Sequence, residues 1–153
     1  MYQFFQSELD YIFFVYGLSF ICLAVTSFYL YFRKSAGSIW KWLGFFGLLH
    51  GIVEWMDMAE MSAGAYPFPV KMFKIGLNAL SFLFLVELAR DGFKEKGLKG
   101  VGRWIYIPLV LALVPAWMVA NSGGINALSR YLFGCLGGLM AARVLFLSSK
   151  DKE

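Results

Sequence analysis

Five apolar stretches follow one another along the chain, at residues 11–32, 39–61, 70–89, 104–119 and 128–147, each close to the roughly 20 residues that carry an α-helix across a bilayer. In hydrocarbon a backbone has to satisfy its own hydrogen bonds, so a chain of this pattern folds as helices packed on helices. The composition agrees: 59% of the 153 residues are hydrophobic, against the ~45–50% of soluble domains. The expected fold is a single all-α integral membrane domain over residues 1–153, a five-helix transmembrane bundle whose first partner is the lipid bilayer.

The connections orient that bundle. Arg33, Lys34 and Lys41 flank the first, Arg90, Lys94, Lys96, Lys99 and Arg103 lie in the third, and Lys150 and Lys152 close the chain. With alternating helices these ten of the fourteen basic residues share one side. Lys71, Lys74 and Arg130 lie near the other, and Arg143 is placed to snorkel to the basic side. The positive-inside rule then puts the carboxyl terminus in the cytoplasm and the amino terminus outside. The net charge of +4 reports topology and gives no reason to expect a nucleic-acid partner. Trp40, Trp42 and Trp104 fall at the inner interface, with Tyr66 and Trp117 near the outer one.

The first ten residues lack a basic leader region, and the apolar run after them is too long for a signal peptide, so it is expected to stay as a helix. Tyr66-Pro67-Phe68-Pro69 reads as a rigid extended turn, residues 90–103 as a solvated mobile loop, and residues 148–153 as a polar tail. Pro115 is expected to kink the fourth stretch, while Pro108 sits in its first turn. Asn121-Ser122-Gly123-Gly124 reads as a tight turn. Cys22 and Cys135 lie inside apolar stretches and read as packing residues, not a disulfide.

The second stretch is the least apolar. His50, Glu54, Asp57 and Met61 recur at i, i+4, i+7 and i+11, one stripe of a helix, and Phe45, Leu48, Leu49, Ile52, Val53 and Met56 fall on the opposite, lipid-facing side. Gly44, Gly47 and Gly51 border the polar stripe, where a neighbouring backbone can come close. The third stretch carries Lys71, Lys74, Asn78 and Ser81 at i, i+3, i+7 and i+10. Antiparallel packing through a short turn sets residue 50 opposite about 80, 54 opposite about 76 and 57 opposite about 73. Lys74 is then in reach of Glu54 or Asp57, and Asn78 of His50. A charge in hydrocarbon costs at least ~2.5–3.5 kcal/mol, so these side chains are expected to face one another. The seam reads either as interhelical glue or as a pocket where His50 and Glu54 bind a ligand or move a proton.

Two metal versions of the pocket follow from residue chemistry. The chain has one histidine, which excludes bis-His haem within one chain and leaves His/Met ligation or a haem shared by a homodimer. Met56, Met58 and Met61 offer thioethers that suit Cu(I). In the fifth stretch Gly134, Gly137 and Gly138 mark a close helix crossing. There is no phosphate-binding glycine loop, HExxH or CxxC, and no nucleophile beside His50 in sequence, so the chain reads as a non-enzyme.

The segment Phe45-Phe46-Gly47-Leu48-Leu49-His50-Gly51-Ile52-Val53-Glu54-Trp55-Met56-Asp57-Met58 resembles the multi-pass amino-terminal sensory region of bacterial sensor histidine kinases and diguanylate cyclases. Tyr16-Gly17-Leu18, Arg33-Lys34, residues 80–88 and Arg130-Tyr131-Leu132-Phe133-Gly134 look similar to the same group. The resemblance implies an input module of the bacterial inner membrane that detects a stimulus and relays a helix movement, with Gly47, His50, Gly51, Glu54 and Trp55 as the residues carried over. Such proteins continue into a kinase or cyclase, whereas this sequence ends at Glu153, so the output is expected from a cytoplasmic domain or a partner membrane subunit. The alternative is a small structural or cofactor- and pigment-holding subunit of a larger membrane complex.

Overall fold

The computed structural model describes residues 9–33, 37–97, 102, 104, 106, 107 and 130–150, with no strand among the described residues. Helix α1 is Leu9–Phe32, α2 Ile39–Ala63, α3 Phe68–Glu95 and α4 Leu136–Lys150, the last entered from a π-helical segment, Arg130–Cys135. By length and composition α1 and α3 are able to cross a membrane. α2 is as long but carries Lys41, Glu54, Asp57 and Glu60. Pro108, Pro115, Trp117 and the turn at 121–124 lie outside the described residues, as does the fourth stretch apart from Trp104, Tyr106 and Ile107.

Glycines set how α1 meets α2. A Cβ built on Gly47 would lie 2.7 Å from the Phe20 carbonyl oxygen, one on Gly51 3.0 Å from that of Gly17, and one on Gly17 2.5 Å from the Trp55 ring. The two backbones therefore touch, as small residues permit. Rising numbers on α1 meet falling numbers on α2, down to Phe28 against Gly44, so the pair is antiparallel. α3 is antiparallel to α2 in turn, with Phe84 against Phe45 and Trp42 and Phe82 against Phe46. α4 runs parallel to α3: Gly134 meets Phe82, Gly137 meets Leu85 and Val144 meets Gly92. Phe46, Phe82, Leu85, Val86, Leu88, Ala89, Ala141 and Val144 form the buried core shared by α2, α3 and α4.

Several expectations are corrected. α3 does not stop at residue 89 but runs to Glu95, because Gly92 keeps a helical backbone packed closely on Val144 and the first positive φ comes at Gly97, so much of the expected loop is helix. Pro69 belongs to the first turn of α3, where a missing N–H costs nothing, and only Pro67 is extended. The helix of the expected tail continues to Lys150. Val53 is buried, not lipid-facing, and Cys22 and Cys135 are exposed free cysteines, not packing residues. Gly138 has nothing within 4 Å of an added Cβ, so the close crossing uses Gly134 and Gly137 only.

Substituting Gly47 by Leu is expected to lower the thermal midpoint in detergent, a loss of about 1–3 kcal/mol or more from overpacking a backbone contact. Gly138→Ala is expected to be neutral or to stabilise by up to roughly 1 kcal/mol through helix propensity alone. Equal effects of the two changes would show that the α1–α2 contact is not close.

Candidate functional site

His50 and Glu54 stand one turn apart near the middle of α2, with side chains only 7% and 1% exposed. The imidazole Nδ1 lies 3.1 Å from Ser81 Oγ on α3, and that hydroxyl donates at 2.7 Å to the Asn78 carbonyl. A serine hydroxyl has one proton. With that proton on the Asn78 carbonyl, Ser81 Oγ accepts from His50, and Nδ1 is the protonated nitrogen. Nε2 is then left facing Glu54 Oε1 at 3.4 Å. Three phenyl rings wall the imidazole: Phe20 of α1, Phe46 of α2 and Phe82 of α3, with ring centroids at 4.6, 5.2 and 5.0 Å. One side chain thus joins three helices.

This surrounding bears on the metal readings. Both ring nitrogens face protein groups, Ser81 Oγ and Glu54 Oε1, and three phenyl rings stand around the imidazole. Among the described residues no group of three or more His, Cys, Asp or Glu stands together as a metal site. Met61, offered for Cu(I), points outward at 47% exposure. Among the described residues, then, no His, Cys, Asp or Glu ligand set is assembled around His50 for haem or copper.

Toward the C-terminal end of α2, Lys74 Nζ donates to Asp57 Oδ1 at 2.6 Å and also to Glu60, and sits over the Tyr66 ring at 5.8 Å. Its side chain is 7% exposed, so the charge depends on these partners. The pairs His50 with Ser81 and Asp57 with Lys74 put α2 one residue from the expected register on α3. Of the two proposed partners Lys74 takes Asp57, not Glu54, and its second is Glu60, which lies off the ideal stripe. The signal for it is the i, i+3 spacing from Asp57, which brackets a lysine between two carboxylates. Asn78 is buried beside this seam, whereas Lys71 is less enclosed.

A third polar layer closes the opposite end. Ser38 at the start of α2 donates its N–H to Glu95 Oε1 at 2.9 Å, its hydroxyl lies 2.9 Å from Asp91 and 2.7 Å from Glu95, and Trp42 Nε1 donates to Asp91 at 2.8 Å. Two carboxylates from α3 so cap the N-terminus of α2, where the helix dipole favours negative charge. Lys96 donates to the Leu147 carbonyl at 3.2 Å near the end of α4, and Tyr106 donates to Glu87, tying the fourth stretch to α3. Reading residues 90–103 as a loop hid this layer, although Asp91 and Glu95 have helical i, i+4 spacing.

Lys74→Met is expected to destabilise the fold by about 3–5 kcal/mol, the usual cost of leaving buried charges without their counter-ion. Adding Asp57→Asn is expected to recover part of that loss, by about 0.5–3 kcal/mol, while Glu54→Gln adds independently. The check is a double-mutant cycle by chemical denaturation in detergent, and coupling to Glu54 in place of Asp57 would overturn the pairing.

No protein-family model, curated protein or solved structure matches this chain.

Proposed function

We propose that this chain is a multi-pass input module of the bacterial inner membrane that detects a stimulus at the His50–Glu54 layer and passes a helix movement to a cytoplasmic output domain or partner, without catalysis of its own. The observation that carries the reading is the layer itself. A buried ionisable pair touches α1 through Phe20 and α3 through Ser81. A change in its charge acts on all three helices together, and packed helices answer such changes by moving between discrete arrangements.

Membrane placement is supported by α1 and α3 and by an outward apolar surface that includes Val25, Phe32, Tyr131 and Leu139, 65–76% exposed, which soluble monomers rarely present. Five crossings are supported by helix direction. Because α3 and α4 are parallel, the connection has to return to the height of Phe82, and residues 104–119 supply an apolar stretch for that return. Arg33, Lys41, Arg90, Lys94 and Lys96 gather at one end, which the positive-inside rule assigns to the cytoplasm. The similarity of residues 45–58 to kinase and cyclase sensory regions fits the same reading. α4 ends on that basic side, anchored by Lys96, and is the proposed output element.

A reporter active only in the cytoplasm is expected to work when fused after Glu153 and to fail when inserted at residues 121–126; the reverse pattern would invert the orientation. For the relay, spin labels are placed at the exposed positions Phe32 and Phe146 after replacing Cys22 and Cys135 with serine. Their dipolar distance distribution in lipid nanodiscs is expected to hold two components whose proportions change in Glu54→Gln. A single distribution unaltered by the substitution would remove the relay.

A further inference from the structure

Resting on the sensory reading, we propose that the stimulus at this layer is the proton, admitted only from the side that bears the C-terminal end of α2. His50 and Glu54 are buried behind three phenyl rings, and the imidazole nitrogens and the carboxylate beside Nε2 are groups that hold and exchange protons. With Nδ1–H given to Ser81, a single proton lies between Nε2 and Glu54 Oε1. It either makes an imidazolium–carboxylate pair or sits on Oε1 facing a neutral ring. A second proton, taken from solvent, protonates the carboxylate of the charged pair and leaves an imidazolium with a neutral acid. The layer then gains one positive charge inside an aromatic wall, and the charge–charge attraction between His50 and Glu54 is lost.

Access is asymmetric. From Glu54 toward the C-terminal end of α2, Asp57 and Glu60 follow at one-turn steps, and side-chain exposure rises from 1% through 16% to 22%. These carboxylates form a staircase from solvent to the buried pair. In the other direction the seam is filled by Phe46, Phe82, Leu85, Leu88 and Ala89, all buried. The next charged group on that face is Asp91, ten residues beyond Ser81, roughly 15 Å along the helix. Glu87 lies between them in sequence but turns to Tyr106 and Arg90. The path therefore reaches the middle from one end and stops, which suits reading a proton concentration and does not suit carrying protons across.

The charged groups around the pair come from each neighbour. α2 contributes Asp57 and Glu60, and α3 contributes Lys74, which neutralises much of their charge, with Asn78 and Ser81 as neutral polar groups. α1 presents Phe20, backed by Tyr16 at 5.0 Å, and no charged side chain among the described residues at that height. In the register that sets Gly134 on Phe82 and Gly137 on Leu85, Arg130 begins its segment at the height of Asn78.

The lone histidine makes the site observable without any substitution, since ring-15N histidine labels only His50. Vesicles containing the labelled chain are sorted by whether an affinity tag after Glu153 faces in or out. Infrared difference spectra are then recorded after lowering the external pH. Tag-inside vesicles are expected to show at once the imidazole bands and a carboxylic-acid carbonyl band, and tag-outside vesicles only after a protonophore is added. An immediate response in tag-outside vesicles would overturn one-sided access. No response in either population, across the range where histidine and carboxyl groups ordinarily titrate, would overturn the proton site. Bands that respond while the spin-label distances stay fixed would leave the proton site standing and remove the sensory reading instead.

Discussion

Along its inner face α2 carries side chains that need partners and are shielded from water, and among the described residues α3 stands opposite to supply them. That requirement sets the pairing of the two helices. Ser38 and Trp42 meet Asp91 and Glu95 at one end, His50 meets Ser81 in the middle, and Asp57 and Glu60 meet Lys74 near the other. A slip of one residue would break all three layers together, since each uses a fixed donor and acceptor. The requirement also explains why α3 stays helical beyond its apolar stretch: its last turns provide the carboxylates that cap the N-terminus of α2.

The other side of α2 is governed by space. Gly17, Gly47 and Gly51 bring the backbones of α1 and α2 together, and that approach delivers Phe20 to the imidazole of His50. A larger residue at the crossing would push α1 outward and open the wall around His50. Dispersion across a tight contact is small per atom and large in sum. The glycines therefore bear on the site as much as on the fold, although none of them has chemistry of its own.

Buried ionic groups contribute little net stability, and apolar replacements of similar volume are often neutral or better. Helix pairs of this length could pack through leucine and glycine alone. The structure instead places an ionisable pair in an aromatic wall, with carboxylates of rising exposure following it toward the C-terminal end of α2.

The positions of α1 and α2 and the start of α3, the polar stripe on α2, its counterpart on α3 and their register to within one residue were legible in the sequence, because 3.6-residue periodicity and the rise per residue are properties of the helix itself. Periodicity assigns a face but not a neighbour. Whether Lys74 takes Glu54 or Asp57, whether Gly138 packs or points outward, and where α3 ends were decided by which side chains the packed helices bring together. The proton on Nδ1 is the clearest instance. His50 and Glu54 announce themselves at i, i+4, but the state of the ring follows from a serine 31 residues away whose own proton is committed to a backbone carbonyl, and only the tertiary structure brings those atoms together.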